Sequence, residues 1–322
     1  MKAIIVDPVT HNLSWESVPD PQCTAKEVVV DIHATAVNRA DLLQRSGKYP
    51  PPPGAPKYLG LEMAGVVSET TKESIWQPGD RVCALLSGGG YAERVAVDER
   101  MLHRIPDHWE FTYAGSIPEV FYTAFLNLFM EAGLGNSETV LIHGGASGVG
   151  TAAIQLAVQS GCRVLATAGS EKKLKCCREL GAEMAINYRE EDFATRVLEY
   201  CDGVDVVLDI AGATSLPGNI DTLKLNGRMV IIAILGGTEA SLDLGAVLSK
   251  RLHIVGSLLR SRALTEKIGI KSEFENRHWA LLKTGRVKPV IDRVMSIKDA
   301  AEAHSILNEN SNIGKVSLVV RE

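Results

Sequence analysis

Apolar positions along this chain fall into two rhythms. Over residues 1 to about 118 they form short β-rich runs: Val28–Ile32, Ala64–Val67, Arg81–Leu86 and Tyr91–Val97. Gly, Pro and Asp separate these runs, which predicts strands joined by turns. Pro50 to Pro53, closed by Gly54, read as a stiff surface loop. From about 119 to 260 apolar runs alternate with helical stretches. Strands are expected at Val140–His143, Arg163–Thr167, Met184–Tyr188, Val204–Ile210, Arg228–Leu235 and Leu252–Ser257. A helix over Glu171 to Leu180 is stopped by Gly181. Strands that are apolar on both faces and separated by helices indicate an α/β fold with a doubly wound parallel sheet. The last stretch carries a helix near Ile297 to Glu309 and an edge-like strand, Val316–Val320. It is expected to return to the first region. Two domains follow: 1–118 with 261–322, and 119–260.

Composition narrows the class. The 322 residues are 45% hydrophobic and 23% charged, as in an ordinary globular protein. A net charge of −5 without a basic cluster argues against a nucleic-acid partner. No window approaches the roughly 20 apolar residues of a membrane span. The N-terminal run Ala3–Val6 stops at Asp7 and Pro8, too short for a secretory signal. The six cysteines form neither a C-x-x-C pair nor an even framework, so a reduced, cytoplasmic setting is expected.

One segment carries chemistry. Glu138 to His143 runs as a β-branched strand into Gly144-Gly145-Ala146-Ser147-Gly148-Val149-Gly150, and a small-residue helix leaves it. A pyrophosphate binds at such a junction, where free N–H groups meet the positive end of the helix dipole. Ser147 stands where the second glycine of G-x-G-x-x-G belongs; it fits if its φ is negative, and its hydroxyl could bond phosphate. The second strand ends Thr167-Ala168-Gly169-Ser170, followed by Glu171, Lys172 and Lys173. An NAD enzyme places an acid near this point for the ribose 2′-hydroxyl. Ser170 reads as an N-cap and Glu171 as a first-turn residue aimed at solvent. Small residues at the strand tip with a lysine one turn on leave room and charge for a 2′-phosphate, so NADPH is the expected cofactor.

These features, with Asn38-Arg39-Ala40-Asp41, Gly60-Leu61-Glu62, Ile117-Pro118-Glu119, Thr123-Ala124-Phe125, Gly256 to Arg260 and Ile313-Gly314-Lys315, resemble the medium-chain dehydrogenase/reductase superfamily. The similarity is to its zinc-free, zeta-crystallin-like quinone oxidoreductase branch, and it covers essentially the whole chain. The resemblance implies a GroES-like catalytic domain, a six-stranded Rossmann domain and a small-molecule quinone substrate in an interdomain cleft, reduced by hydride or single electrons. Zinc relatives hold metal with Cys and His; this chain has Asn38 and Leu61 near those positions, so no metal is expected. Glu62 reads as a buried carboxylate bonded to backbone or to an arginine, with proton transfer as the alternative. By the resemblance Asn38 and Tyr49 line the substrate site as hydrogen-bond donors, although Asn38 could instead cap a helix. Ser147, Gly148, Val149 and Gly150 would hold the pyrophosphate, and Gly169, Ser170, Lys173 and Tyr188 the 2′-phosphate. Leu235, Gly236, Ser257, Leu258 and Lys315 would lie along the ribose and nicotinamide, with Thr123 close to the nicotinamide.

Two other functions stay open: an alkenal or enone double-bond reductase, and a low-turnover NADPH-binding structural or redox-sensing protein. A homodimer through Rossmann edge strands is expected, from Leu252–Ser257. Other signatures are missing. No Tyr-x-x-x-Lys pair, P-loop, complete nucleophile elbow or H-E-x-x-H occurs. His143 reads as structural.

Overall fold

A computed structural model of the chain describes residues 1–321. The chain divides into two compact units, Met1–Val120 with the segment from Arg260 onward, and Phe121–Leu259.

In the first unit, a seven-stranded sheet runs in the order Ile291–Ser296, Lys315–Val319, Glu27–Ala36, Glu62–Glu69, Arg81–Leu85 and Leu102–Arg104. Arg94–Asp98 also pairs with the long strand Glu27–Ala36. All pairs are antiparallel except Ile291–Ser296 with Lys315–Val319. A separate hairpin joins Lys2–Val6 to Leu13–Ser17. The valine-rich segment Val28–Val30 is wholly buried, as β-branched residues on a covered pleat should be. Ile4, Leu59, Tyr91, Val316 and Leu318 pack with Ile297, Ala300 and Ala303 around the helix Ala300–Asn308.

Two expectations change here. The C-terminal strand is interior, with Ile291–Ser296 outside it at the edge. A 20-residue helix, Leu264–Lys283, occupies a stretch where no element was expected.

The second unit is a six-stranded, all-parallel sheet in the order Met184–Asn187, Arg163–Ala168, Thr139–Ile142, Val204–Asp209, Leu223–Ile231, His253–Gly256. This is the doubly wound dinucleotide-binding order, 3-2-1-4-5-6. Every expected strand is present. Leu141, Leu165, Ile186, Val207 and Met229 form its core with Val197 of the helix Phe193–Tyr200. Among the described residues no helix is long and apolar enough to cross a membrane.

Candidate active site

Parallel strands put all their carboxyl ends on one edge of the sheet, where α/β proteins bind ligands. The strand Thr139–Ile142 leads into a turn with Gly144 at φ +64°, a left-handed conformation suited to glycine. Ser147 then caps the helix Gly148–Gln159 at φ −72°, and its Oγ accepts from Gly150 N–H at 2.9 Å. Gly150 is required sterically. A Cβ there would stand 2.2 Å from the Gly144 carbonyl oxygen. Gly145 is closed off likewise, by Cys177 Sγ at 2.8 Å and Ala166 Cβ at 2.9 Å. The turn therefore lies flat against its helix, with the N–H groups of Gly148 and Val149 at the helix start. His143 is structural as expected: buried, with its ring nitrogens 3.0 Å from Thr167 Oγ1 and 2.7 Å from Asn219 Oδ1.

At the end of the second strand, Ser170 holds the N-cap position of the helix Glu171–Glu179 without a side-chain cap bond. Glu171 does not reach back across the strand tip. Its carboxylate pairs with Arg178 on its own helix. Gly169 is overlooked by two polar tips: a Cβ added there would meet Tyr188 Oη at 2.8 Å and Arg189 Nε at 3.0 Å. Lys173 lies half-buried in the first helical turn. Arg189 was not among the expected residues, and its signal was a basic residue two positions past the third strand. A guanidinium at this place suits a 2′-phosphate. Leu235 and Gly236 follow the fifth strand, and Ser257 and Leu258 the sixth. Ile234, Leu235 and Leu258 are each more than half exposed. Thr123 lies on the helix Pro118–Phe125, its carbonyl accepting from Asn127 Nδ2 at 2.7 Å. The glycine turn, the amides at the helix start and the Tyr188–Arg189 tips fit a nicotinamide dinucleotide. Gly148 and Val149 would hold its pyrophosphate.

The first unit carries a buried polar cluster. Lys315 Nζ lies 2.8 Å from Glu62 Oε1, 2.6 Å from Asn38 Oδ1 and 3.0 Å from the Val37 carbonyl. Its three donors are thereby used inside the unit, so its ammonium is not available along the ribose and nicotinamide as expected. Asn38 also differs from expectation. Its amide donates to Glu62 Oε1 at 3.0 Å and to the Ala36 carbonyl at 3.2 Å, leaving no N–H for a substrate. It does occupy the N-cap position of Arg39–Arg45, but the bond there runs from its backbone N–H to Asp41 Oδ2, 2.9 Å away. Glu62 is the expected buried carboxylate, with a lysine as its cation in place of an arginine. Its second oxygen accepts from Glu119 N–H at 3.0 Å.

Tyr49 stands beside this cluster, half-buried, with the Arg260 guanidinium carbon 5.3 Å from its ring centroid. Among the described residues its hydroxyl has no hydrogen-bond partner, so it can serve a ligand. Burial raises its pKa, while Arg260 opposes the shift. Arg260 donates to the Ser87 carbonyl at 2.9 Å and to Gln44 Oε1 at 2.6 Å. Lys267 donates to Ser87 Oγ at 2.7 Å and to the Arg260 carbonyl at 2.6 Å. Two acids are perturbed. Burial pushes Asp41 up to about 6 despite N–H bonds from Gly60 and Asn38. Burial, reinforced by the Glu62 carboxylate, pushes Glu119 up to about 8. Arg260, Lys267 and Glu119 were missed as site residues: Glu119 and Arg260 stood in segments that carried the resemblance without a role, and Lys267 is marked only by three-dimensional proximity. Leu61 is wholly buried and offers hydrocarbon. Among the described residues no group of three or more His, Cys, Asp and Glu is arranged to hold a metal ion.

Comparison with known proteins agrees with this architecture. Residues 24–107 match the alcohol dehydrogenase GroES-like domain, and residues 148–275 the family described as zinc-binding dehydrogenase. Mouse quinone oxidoreductase is 30% identical over 310 residues, 94% of this chain and 91% of that protein. The human protein of the same name is 29% identical over 312 residues, covering 94% and 92%. Among solved structures, the Thermus thermophilus quinone oxidoreductase, described also in complex with NADPH, superimposes with TM-score 0.85 at 29% identity, covering 99% and 100%. A structure titled NAD-dependent alcohol dehydrogenase superimposes with TM-score 0.89 at 31% identity, covering 99% and 100%. With its GroES-like unit and its six-stranded Rossmann-type unit, the chain belongs to the medium-chain dehydrogenase/reductase superfamily of NAD(P)H-dependent oxidoreductases, beside proteins named quinone oxidoreductases.

Proposed function

We propose that this protein is an NADPH-dependent, metal-independent quinone reductase. The observation that carries the reading is the Asn38–Glu62–Lys315 lock. Where a zinc enzyme would keep metal ligands, this chain has an amide whose donors are used internally and the hydrocarbon of Leu61. A substrate reduced here must accept hydride without a Lewis acid, which electron-poor quinones do and ordinary carbonyls do poorly. NADPH, when bound, supplies the hydride. The chain's part is to bind and orient: Gly148 and Val149 at the pyrophosphate, Gly169, Ser170, Lys173, Tyr188 and Arg189 at the 2′-phosphate, and the Tyr49 hydroxyl as a donor toward a quinone oxygen. Among the titles of similar structures, two cite NADPH and one NAD. The self-paired Glu171 and the Tyr188–Arg189 tips favour NADPH.

The test is NADPH oxidation by purified protein against a panel of ortho-quinones and 2-alkenals, with and without chelator. Faster turnover of the alkenals, loss of activity on chelation or a preference for NADH would each overturn its part of the reading.

A homodimer and a cytoplasmic setting belong to the same proposal. Among the described residues the strand His253–Gly256 ends the six-stranded sheet with its outer edge unpaired, and Leu244 and Leu248 on the preceding helix are 71% and 80% exposed. Pairing two such edges covers them. All six cysteines are free thiols, which suits a reducing compartment. Sedimentation of the purified protein as a monomer would remove the dimer.

A further inference from the structure

Glu119 differs from the other acids of the buried cluster. Asp41 accepts from two backbone N–H groups, and Glu62 is bonded on both oxygens. The Glu119 carboxyl makes no hydrogen bond among the described residues. It is the second residue of the helix Pro118–Phe125, anchored through its backbone N–H on Glu62 and partly exposed. Charged groups from four other segments act on it. Glu62 and Asp41 disfavour its ionisation, and Lys315 and Arg260 favour it. Lys267 and Tyr49 also feel its charge.

These cations are unevenly matched. Lys315 has its carboxylate in Glu62. Arg260 and Lys267 are buried, yet every oxygen they contact is neutral: the Ser87 carbonyl and hydroxyl, the Gln44 amide, and the Tyr49 and Arg260 carbonyls. Among the described residues neither cation is in an ion pair. Asp41 and, more weakly, Glu119 act on Arg260 at longer range, and Glu119 acts on Lys267, so a carboxylate formed at Glu119 gains from both. Burial and Glu62 keep the proton on until a stronger base arrives, and the two cations then favour its departure. That combination is the setting of a general acid.

We propose that Glu119 is the proton donor of this site, protonating the oxygen on which negative charge collects when a quinone takes up hydride. The inference rests on the quinone-reductase reading. In the balanced step the quinone gains hydride and is reduced while the nicotinamide is oxidised; the Glu119 O–H bond breaks and one quinol O–H bond forms. Partial exposure lets water return the proton to Glu119. Tyr49, with its free hydroxyl, orients the same oxygen as a hydrogen-bond donor. Held at about 8, Glu119 is mostly protonated at neutral pH.

Two measurements test this. First, carbon-13 NMR of glutamate-labelled protein without cofactor is expected to show one carboxyl titrating near pH 8, missing from Glu119→Gln. Absence of that signal from the wild type overturns the proposal. Second, steady-state kinetics with an ortho-quinone is expected to show Glu119→Gln lowering kcat by about 100-fold or more with KM for NADPH unchanged. The variant also loses the wild-type decline in rate above pH 8 and the solvent deuterium isotope effect, and Glu119→Asp restores part of each. An active wild type with an equally active Glu119→Gln refutes the role of Glu119 alone. A wild type inactive with every quinone refutes the underlying reading, and this role with it.

Discussion

The ammonium of Lys315 lies 2.8 Å from Glu62 Oε1, with the two side chains 2% and 0% exposed. The lysine comes from the C-terminal strand and the glutamate from the strand Glu62–Glu69, so the contact ties distant segments together. Removing one member of a buried pair leaves the other charge without a partner, at a cost of about 3–5 kcal/mol. Lys315→Met is therefore expected to destabilise the protein by about that amount. Adding Glu62→Gln should recover part of the loss, because the stranded charge goes too. Urea denaturation of the wild type, both single variants and the double variant checks the coupling. Additive losses would show that the two groups do not act as a pair.

Gly150→Ala and Gly269→Ala should move stability in opposite directions. A Cβ at Gly150 meets the Gly144 carbonyl oxygen at 2.2 Å, and backbone cannot step aside as a side chain can. Forced overpacking costs about 1–3 kcal/mol. It would also push the helix Gly148–Gln159 off the turn, weakening NADPH binding. Gly269 sits exposed inside the helix Leu264–Lys283, and a methyl group added there would have nothing within 4 Å. Alanine at this position should stabilise by roughly 0.5–1 kcal/mol through helix propensity. Thermal melts of the two variants, with and without NADPH, decide both claims.

The Rossmann unit was readable because its strands, buried on both faces, stand out as apolar runs between helices. The helix Leu264–Lys283 was not. Two of its six buried residues are Lys267 and His278, so the covered face does not look apolar in sequence. The strand Ile291–Ser296 has no residue that is fully buried, which removes the alternation that would have marked it. The site divides in the same way. Its glycine turn is local and legible at Gly144 to Gly150. The cluster joins Asn38, Glu62, Glu119, Arg260 and Lys315 from five separated segments, and spacing along the chain says nothing of their meeting. Asn38 was noticed for its type, yet the structure gives its amide to Glu62 and Lys315.

The perturbed groups set a stability profile in pH. Burial holds His278 near 4 and His304 near 3, so the unfolded chain binds protons below pH 6.5 that the fold refuses. Their effect is to lower stability as pH falls from 6.5. Asp41 and Glu119 act in the other direction, keeping protons in the fold up to about 6 and about 8 that the unfolded chain has released. Their contribution is present at low pH and is lost as pH rises. Between about pH 7.5 and 8.5 Glu119 is the one of these four that still titrates appreciably. Wild-type stability should fall across that window by up to about 1.4 kcal/mol per pH unit, and Glu119→Gln should be flat there. Urea midpoints at three pH values across the window measure the slope. A flat wild-type profile would show that Glu119 is already ionised at neutral pH.

Cofactor preference can be tested at the tip of the second strand. At Gly169 a new side chain would meet Tyr188 Oη and Arg189 Nε, both ends of exposed side chains that can move aside. Gly169→Asp would put a carboxylate where a 2′-phosphate is proposed to lie, repelling it and accepting from a ribose 2′-hydroxyl instead. Arg189→Ala removes a guanidinium from the same place. A charged hydrogen bond is worth about 1.5–3 kcal/mol, so this change should weaken NADPH by roughly 10- to 100-fold while sparing NADH. Gly169→Asp should weaken NADPH and tighten NADH together. Binding constants from cofactor fluorescence separate these patterns without relying on turnover. Equal weakening of both cofactors by Arg189→Ala would mean that the residue supports the strand tip and does not read the phosphate.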